Sequence, residues 1–394
     1  MVGERGFEPP TPWSRTRCST RLSHSPNLGC NSHALSRSGL VSIGKEARAR
    51  SSVPEITLDS RVQPPLGRTR IWQSNAFAAY HQPMTPREQL QFGTAHVLDG
   101  GMASELEFLG SNISGPLWSA HVVEQEPERV IAVHRAYLEA GAQVLLTASY
   151  QVSRMGYAEY GLDPKSADAA LLRSVDLACA ARAEFPERSI FVAASLGPYG
   201  AALHNGSEYH GNYVCSFNDL VQFHQERIAV LAESQADLLA FETIPLLEEA
   251  HAIGEALKPW PDLAAWFTFV CPDYRAASLQ VAHGEALRGC AALAASFPQT
   301  VAIGVNCTRP RWIPSLIAEL RHASEKPIIV YPNSGEDWDA EARCWTGQSD
   351  PTEFGQQAQQ WFASGVQLVG GCCRTRPEHI RQIAAVAGVT APAS

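Results

Sequence analysis

No stretch of this 394-residue sequence approaches the ~20 consecutive apolar residues that a membrane-spanning helix needs, so no membrane partner is expected. Its 10 cysteines are too few over such a length for a disulfide framework. Cys179, Cys215, Cys271, Cys290 and Cys344 read instead as ordinary thiols of a cytoplasmic protein. A basic surplus is missing where a fold is expected. The net charge of −9 divides into 11 Lys/Arg against 5 Asp/Glu (+6) over residues 1–85 and 20 against 35 (−15) over the remainder, an acidic balance that argues against nucleic acid as a partner. No G-x-G-x-x-G follows the first short apolar run, where the sequence reads L-D-G-G-M-A from Leu98, which removes the usual signature of a dinucleotide site. What is present is a hydrophobic content of 45%, enough to core one large domain or two ordinary ones.

Apolar periodicity is also absent from Met1 to about Pro83. Twelve serines, eight prolines and scattered arginines cannot bury enough surface to offset chain entropy. Residues 1–85 are therefore expected to be a disordered tail, and residues 86–394 the folded domain. An Arg- and Ser-rich leader invites comparison with an organelle transit peptide, but Glu4, Glu8, Pro9, Pro10 and Pro12 suit an amphipathic targeting helix badly. Residues Gly3–Pro26 resemble peptides found at the front of bacterial gene predictions in which a neighbouring tRNA gene has been translated in error. On that reading Met84 is the expected start.

From His96 onward a short apolar run, Gly/Pro/Asn punctuation and a helical stretch repeat. The runs are His96–Leu98, Val144–Thr147, Phe191–Ser195, Leu238–Phe241, Ala265–Val270, Val301–Val305, Pro327–Tyr331 and Val366–Val369. Their starts lie 26 to 48 residues apart, room for a crossover helix each time, which predicts parallel strands. Between the first two, Glu126–Gly141 reads as a helix, with Pro127 at its start, Val130, Val133, Tyr137 and Leu138 on one stripe, and Gly141 ending it. Eight such units predict an α/β fold, a (β/α)8 TIM-type barrel; a doubly wound open sheet is the alternative. In a barrel, chemistry belongs at the C-terminal strand ends. Those ends carry Asp99 and Gly100, Thr147, Glu242, Cys271, Asn306 and Cys307, and Cys372 with Cys373.

The last run reads V-Q-L-V-G-G-C-C-R over Val366–Arg374. Adjacent cysteines are poor disulfide partners, because bonded pairs place their Cα atoms about 4.4–6.8 Å apart and chain neighbours sit ~3.8 Å apart. Two small buried residues that happen to adjoin would explain the pair alone, but V-A-I-G-V-N-C gives Cys307 the same strand-end placement, at the sixth run where the pair ends the eighth, so all three can converge on one mouth. Three converging thiolates suit Zn²⁺ and leave its fourth position open, the pattern of catalytic sites. A substrate thiol held there loses its proton and becomes nucleophilic near neutral pH. Its natural partner is an alkyl group on a cationic leaving atom, because transfer then releases a neutral molecule.

Seven segments carry a resemblance: Leu98–Glu107 (L-D-G-G-M-A-S-E-L-E), Thr147–Gln151 (T-A-S-Y-Q), Ser195–Tyr213, Glu242–Pro245 (E-T-I-P), Gly304–Cys307 (G-V-N-C), Tyr331–Asp339 and Gly370–Ile380 (G-G-C-C-R-T-R-P-E-H-I). In order, over about residues 92–390, they resemble the zinc-dependent homocysteine S-methyltransferases, with the S-methylmethionine-using branch most alike. The resemblance implies zinc on Cys307, Cys372 and Cys373, homocysteine thiolate in the fourth place, and methionine as product. It implies that Glu242, Asp99 and Gly100 hold the amino-acid part of the substrate, and Thr147 and Asn306 are expected beside them. A carboxylate can pair with an α-ammonium, and glycine lets the backbone approach closely. Against this, Glu242 also fits as an acid ahead of a helix and Asp99 as a turn residue.

The connection Tyr199–Asn218 is long, which marks a functional loop, and is expected to form a lid. Tyr150, Tyr199, Tyr209, Tyr213 or Trp338 are candidates to face a sulfonium, and Glu208 or Glu336 to complement its charge. On the same site the donor is alternatively S-adenosylmethionine or betaine, and the acceptor alternatively a selenol such as selenohomocysteine or selenocysteine. A different class of reading is a closed structural zinc or a redox-active cysteine pair in a sensor or binding module, with Cys271 as the fourth thiol.

Overall fold

The computed structural model describes residues 96–113, 117–339, 344–346 and 349–389. The expected tail and the Met84 start lie outside these residues. Short runs rich in Val, Ile, Leu and Phe form the strands β1 (His96–Val97), β2 (Val144–Leu146), β3 (Phe191–Leu196), β4 (Leu238–Ile244), β5 (Ala265–Phe269), β6 (Thr300–Asn306) and β7 (Ile328–Tyr331). A short antiparallel hairpin of β8 (Asp337–Asp339) and β9 (Cys344–Thr346), not foreseen from the sequence, precedes β10 (Leu368–Val369). The large sheet runs β1-β10-β7-β6-β5-β4-β3-β2, every neighbour parallel. Its two edges meet, with Gln143 N–H donating to Val97 O at 2.7 Å and Asp99 N–H to Val144 O at 3.0 Å. The eight-stranded (β/α)8 barrel is therefore present, and the open sheet is not.

Two apolar layers hold it. Inside, Leu98, Val144, Ala193, Ala240, Trp266, Ile329 and Leu368 fill the lumen, and Trp266 meets Tyr331 edge to face. Outside, each helix covers the strands with one stripe. The helix Pro127–Glu139 has Pro127 in its first turn, buries Val130, Val133, Tyr137 and Leu138, and is followed by Gly141 at φ 106, a left-handed conformation that costs glycine little. Each such buried side chain contributes on the order of 1.5–3 kcal/mol.

Two strands run farther than their apolar runs. β4 continues to Ile244 through a register shift at Phe241/Ile244, and β6 continues to Asn306. Both extensions carry candidate site residues. At β6, Gly304 is required by a close approach, since a Cβ there would sit 1.7 Å from Ile329 O on β7.

Candidate active site

In the sheet order β7 lies between β6 and β10, so the strand ends bearing Cys307 and Cys372–Cys373 are separated by one strand. The three Sγ atoms all lie within 4.8 Å of one another, and Cys307 Sγ and Cys373 Sγ are 3.5 Å apart. A tetrahedral ion with Zn–S near 2.3 Å needs sulfurs roughly 3.8 Å apart, so the cluster fits such an ion as three of its four ligands. Hydrogen bonds from Cys307 and then Cys372 hold the Cys373 thiol well below the usual range, while the same coupling holds Cys372 up. Three neighbouring thiols cannot all ionise without a cation among them. Cys271 does not join them: it is buried, held up by burial and then by the charge of Cys290, and among the described residues the group with ligand spacing comprises Cys307, Cys372 and Cys373. Among the described residues the cluster has no fourth thiol of the kind a closed structural site needs.

Backbone contacts make the cluster rigid. Cys372 N–H donates to Pro332 O at 2.8 Å, Ser334 N–H to Cys373 O at 3.0 Å, and Gly371 N–H to Asp99 O at 3.0 Å. Thr375 Oγ1 donates to Cys372 O at 2.7 Å and accepts from Gly101 N–H at 3.1 Å. Tyr137 OH donates to Gly101 O at 3.1 Å and lies 3.2 Å from Thr375 O. Gly100 packs so closely on Thr375 and Tyr137 that a Cβ would come within 2.9 Å of each. Thr243, Cys307 and Arg374 adopt φ of 61, 48 and 65, each a strained choice for a residue with a Cβ, and all three stand at this rim.

Asn306 explains how the strain at Thr243 is held. Its Oδ1 accepts from Thr243 N–H at 2.7 Å and Thr268 Oγ1 at 2.9 Å, and its Nδ2 donates to Thr243 Oγ1 at 2.8 Å while lying 4.0 Å from Cys372 Sγ. The bulge this pins turns the Glu242 carboxyl toward Ser195, whose hydroxyl donates to it, and Tyr331 also donates there. Burial first, and the charge of Cys373, push Glu242 up to about 7 against those two hydrogen bonds. Thr147 Oγ1 accepts from Ser195 N–H at 3.0 Å and contacts Ser149 Oγ at 2.6 Å, which supports Ser195 from behind. Asp99, 1% exposed, accepts from Leu146 N–H at 2.9 Å through Oδ2, and its Oδ1 has no partner. Burial, and after it the charge of Glu242, hold Asp99 well above the usual carboxylate range. Such an oxygen is suited to an ammonium group.

The loop after β3 holds a short helix, Tyr199–Ala202, and a single turn, Ser207–Tyr209. Tyr209 OH lies 3.6 Å from Cys307 Sγ. Tyr150 interacts with Thr243 and with the charges of Glu208 and Cys307. Tyr199 and Tyr213 are committed elsewhere: Tyr199 N–H donates to Glu249 Oε1 at 2.5 Å, the Tyr213 hydroxyl donates to Glu249 Oε2, and the Tyr199 ring packs on Tyr213 and Phe223. Glu249 also meets His224 Nε2 at 2.9 Å, and His224 Nδ1 accepts from Arg227 Nη2 at 2.9 Å. This buried latch was not read from the sequence. Its signal was available, because His224 and Arg227 share the buried stripe of Leu220, Ile228 and Leu231 on the helix Phe217–Leu231. Glu336 is paired with Arg374 at 3.2 Å. Trp338 lies on the hairpin strand β8.

The family model described as Homocysteine S-methyltransferase matches residues 96–387. Homocysteine S-methyltransferase YbgG of Bacillus subtilis is 45% identical over 297 residues, covering 73% of this chain and 93% of that protein. Selenocysteine Se-methyltransferase of Brassica oleracea var. italica is 40% identical over 306 residues, 73% of this chain and 87% of that one. The crystal structure of the homocysteine methyltransferase MmuM from Escherichia coli in its metallated form superposes with TM-score 0.66 at 39% identity, covering 75% of this chain and 96% of that one. Three thiols converging from two strand ends of a parallel barrel, on a chain this similar to these proteins, have one classification: the chain is an enzyme of the homocysteine S-methyltransferase family.

Proposed function

We propose that the protein moves a methyl group from S-methylmethionine to the thiol of homocysteine, giving two molecules of methionine. The observation that carries this reading is the Cys307–Cys372–Cys373 cluster, which has ligand spacing for three sulfurs and no fourth protein ligand among the described residues. Cys307, Cys372 and Cys373 would hold zinc, which supplies the acidity that strips the acceptor thiol of its proton at neutral pH. Glu242 and the free oxygen of Asp99 receive the acceptor's α-ammonium, and the backbone at Gly100 faces its carboxylate. Ser195 and Tyr331 hold the Glu242 carboxyl in place, while Asn306 and Thr147 act one step back, fixing the Thr243 bulge and Ser195. In the transfer the donor's C–S bond breaks with its electron pair left on the donor sulfur, and a new C–S bond forms with a pair from the acceptor sulfur. The donor leaves as a neutral thioether.

The similarity to a selenocysteine Se-methyltransferase favours a selenol as a second acceptor on the same site. Among the described residues no helix is long and apolar enough to cross a membrane, and Cys179, Cys215, Cys271, Cys290, Cys307, Cys372 and Cys373 are free thiols, which suits a reducing cytoplasm. The test is methionine formation from homocysteine and S-methylmethionine by zinc-loaded protein beside Cys372→Ser. The reading expects activity that the substitution removes; a folded, zinc-loaded protein without activity would contradict it.

A further inference from the structure

Four acidic side chains stand near the thiol cluster, and three are accounted for. Glu242 is held by Ser195 and Tyr331, Asp99 is fixed on Leu146 and turns its free oxygen to the acceptor, and Glu336 is paired with Arg374. Glu208 is different. It is 3% exposed, sits on the turn Ser207–Tyr209, and its Oε2 has no hydrogen-bond partner. Its charge bears on Cys373, Tyr150, Tyr209 and Tyr213. The next residue in the chain touches Cys307 Sγ through the Tyr209 hydroxyl at 3.6 Å. A buried carboxylate without a counter-charge is costly; among the described residues its own backbone N–H offsets part of that cost and no cation is paired with it.

Resting on the methyl-transfer reading above, we propose that the buried Glu208 carboxylate, next in the chain to the tyrosine that touches Cys307, is the receptor for the sulfonium of the methyl donor. Transfer requires the donor sulfur to stand within a few ångströms of the acceptor sulfur, so its positive charge must reside beside the cysteine cluster. Glu208 is the unpaired anion of the loop that touches that cluster. The donor's α-ammonium, several bonds farther along, would lie outside this contact. Once the methyl group has left, the donor is neutral and the attraction is lost, which favours release of the product. Contacts that fasten this turn reinforce the assignment. Gly200 packs so closely that a Cβ would sit 2.6 Å from Glu208 N, and Glu249 grips the loop on either side through Tyr199 and Tyr213.

Titration calorimetry of the zinc-loaded full chain with S-methylmethionine and with its neutral counterpart methionine, together with steady-state kinetics, tests this. Glu208→Gln is expected to weaken S-methylmethionine binding and raise its KM by about 10- to 100-fold, to leave methionine binding and the homocysteine KM within about two-fold, and to leave Tm unchanged or higher. Glu208→Asp should recover part of the loss. Equal losses for methionine and the sulfonium, or no loss for either, would overturn the assignment while leaving the methyl-transfer reading intact. A wild-type protein that neither binds S-methylmethionine nor turns it over would overturn both.

Discussion

Glu242 and Glu208 are both buried, both pushed up to about 7 first by burial, and both repelled by Cys373, yet they belong to different parts of the molecule. Glu242 rises from the barrel wall, where β4 bulges at Thr243, Asn306 satisfies the bulge, and Ser195 and Tyr331 occupy the carboxyl. Glu208 comes from a loop, keeps one oxygen without a partner, and is placed by a latch two elements away. On the proposed function the contrast is a division of labour: the strands would fix the acceptor's groove before any ligand arrives, whereas the loop would leave an anion for a cation that arrives with the donor.

The widest separation of the two regions should come from cutting the latch. Glu249→Ala leaves His224, Tyr199 N–H and the Tyr213 hydroxyl without their buried acceptor, removes the negative charge nearest Arg227, and is expected to cost on the order of 3–5 kcal/mol in chemical denaturation. The barrel wall should be untouched, so zinc content per folded molecule should stay at the wild-type value; loss of zinc by the folded variant would show that the two regions are not separate.

A titration sharpens the same point. Burial, and then the charge of Arg227, hold His224 down to about 4 against its hydrogen bond to Glu249. The unfolded chain takes up that proton first, near pH 6.5, so the latch's contribution is present above that value and is lost as pH falls toward about 4. The loss is on the order of 3 kcal/mol over that window. His224→Gln should flatten the stability–pH curve between pH 6.5 and 4, and an unchanged slope would remove His224 from the latch.

The smallest effect expected is at the wall. Glu242→Gln keeps an oxygen to accept from Ser195 and removes the charge, so the homocysteine KM should rise by ~10-fold with the S-methylmethionine KM within about two-fold. If the donor KM moves instead, the two carboxylates have been assigned the wrong substrates.

Much of the wall was legible in the sequence. Apolar runs delimit the strands, and a strand order set by right-handed crossovers carries Cys307, Cys372 and Cys373 to strand ends one strand apart. The irregularities were less legible. Thr243 reads as a good strand former, and only Asn306, sixty-three positions away, makes its left-handed backbone tolerable. The latch escaped for a related reason: Glu249 stands among ordinary charged helix residues, and its partners come from the loop that holds Tyr199 and Tyr213 and from the helix that holds His224. Such convergence depends on tertiary packing that local patterns do not encode. Loop length pointed to the right stretch but could not separate the tyrosines that hold the loop from the one that touches the sulfur.

The central claim is that three thiols hold a zinc ion whose fourth place belongs to the acceptor. Zinc K-edge X-ray absorption of the loaded protein, before and after homocysteine is added, tests it most directly. The account predicts three sulfurs and one light atom before addition and four sulfurs after; four sulfurs in the substrate-free protein, or no change on adding homocysteine, would contradict it.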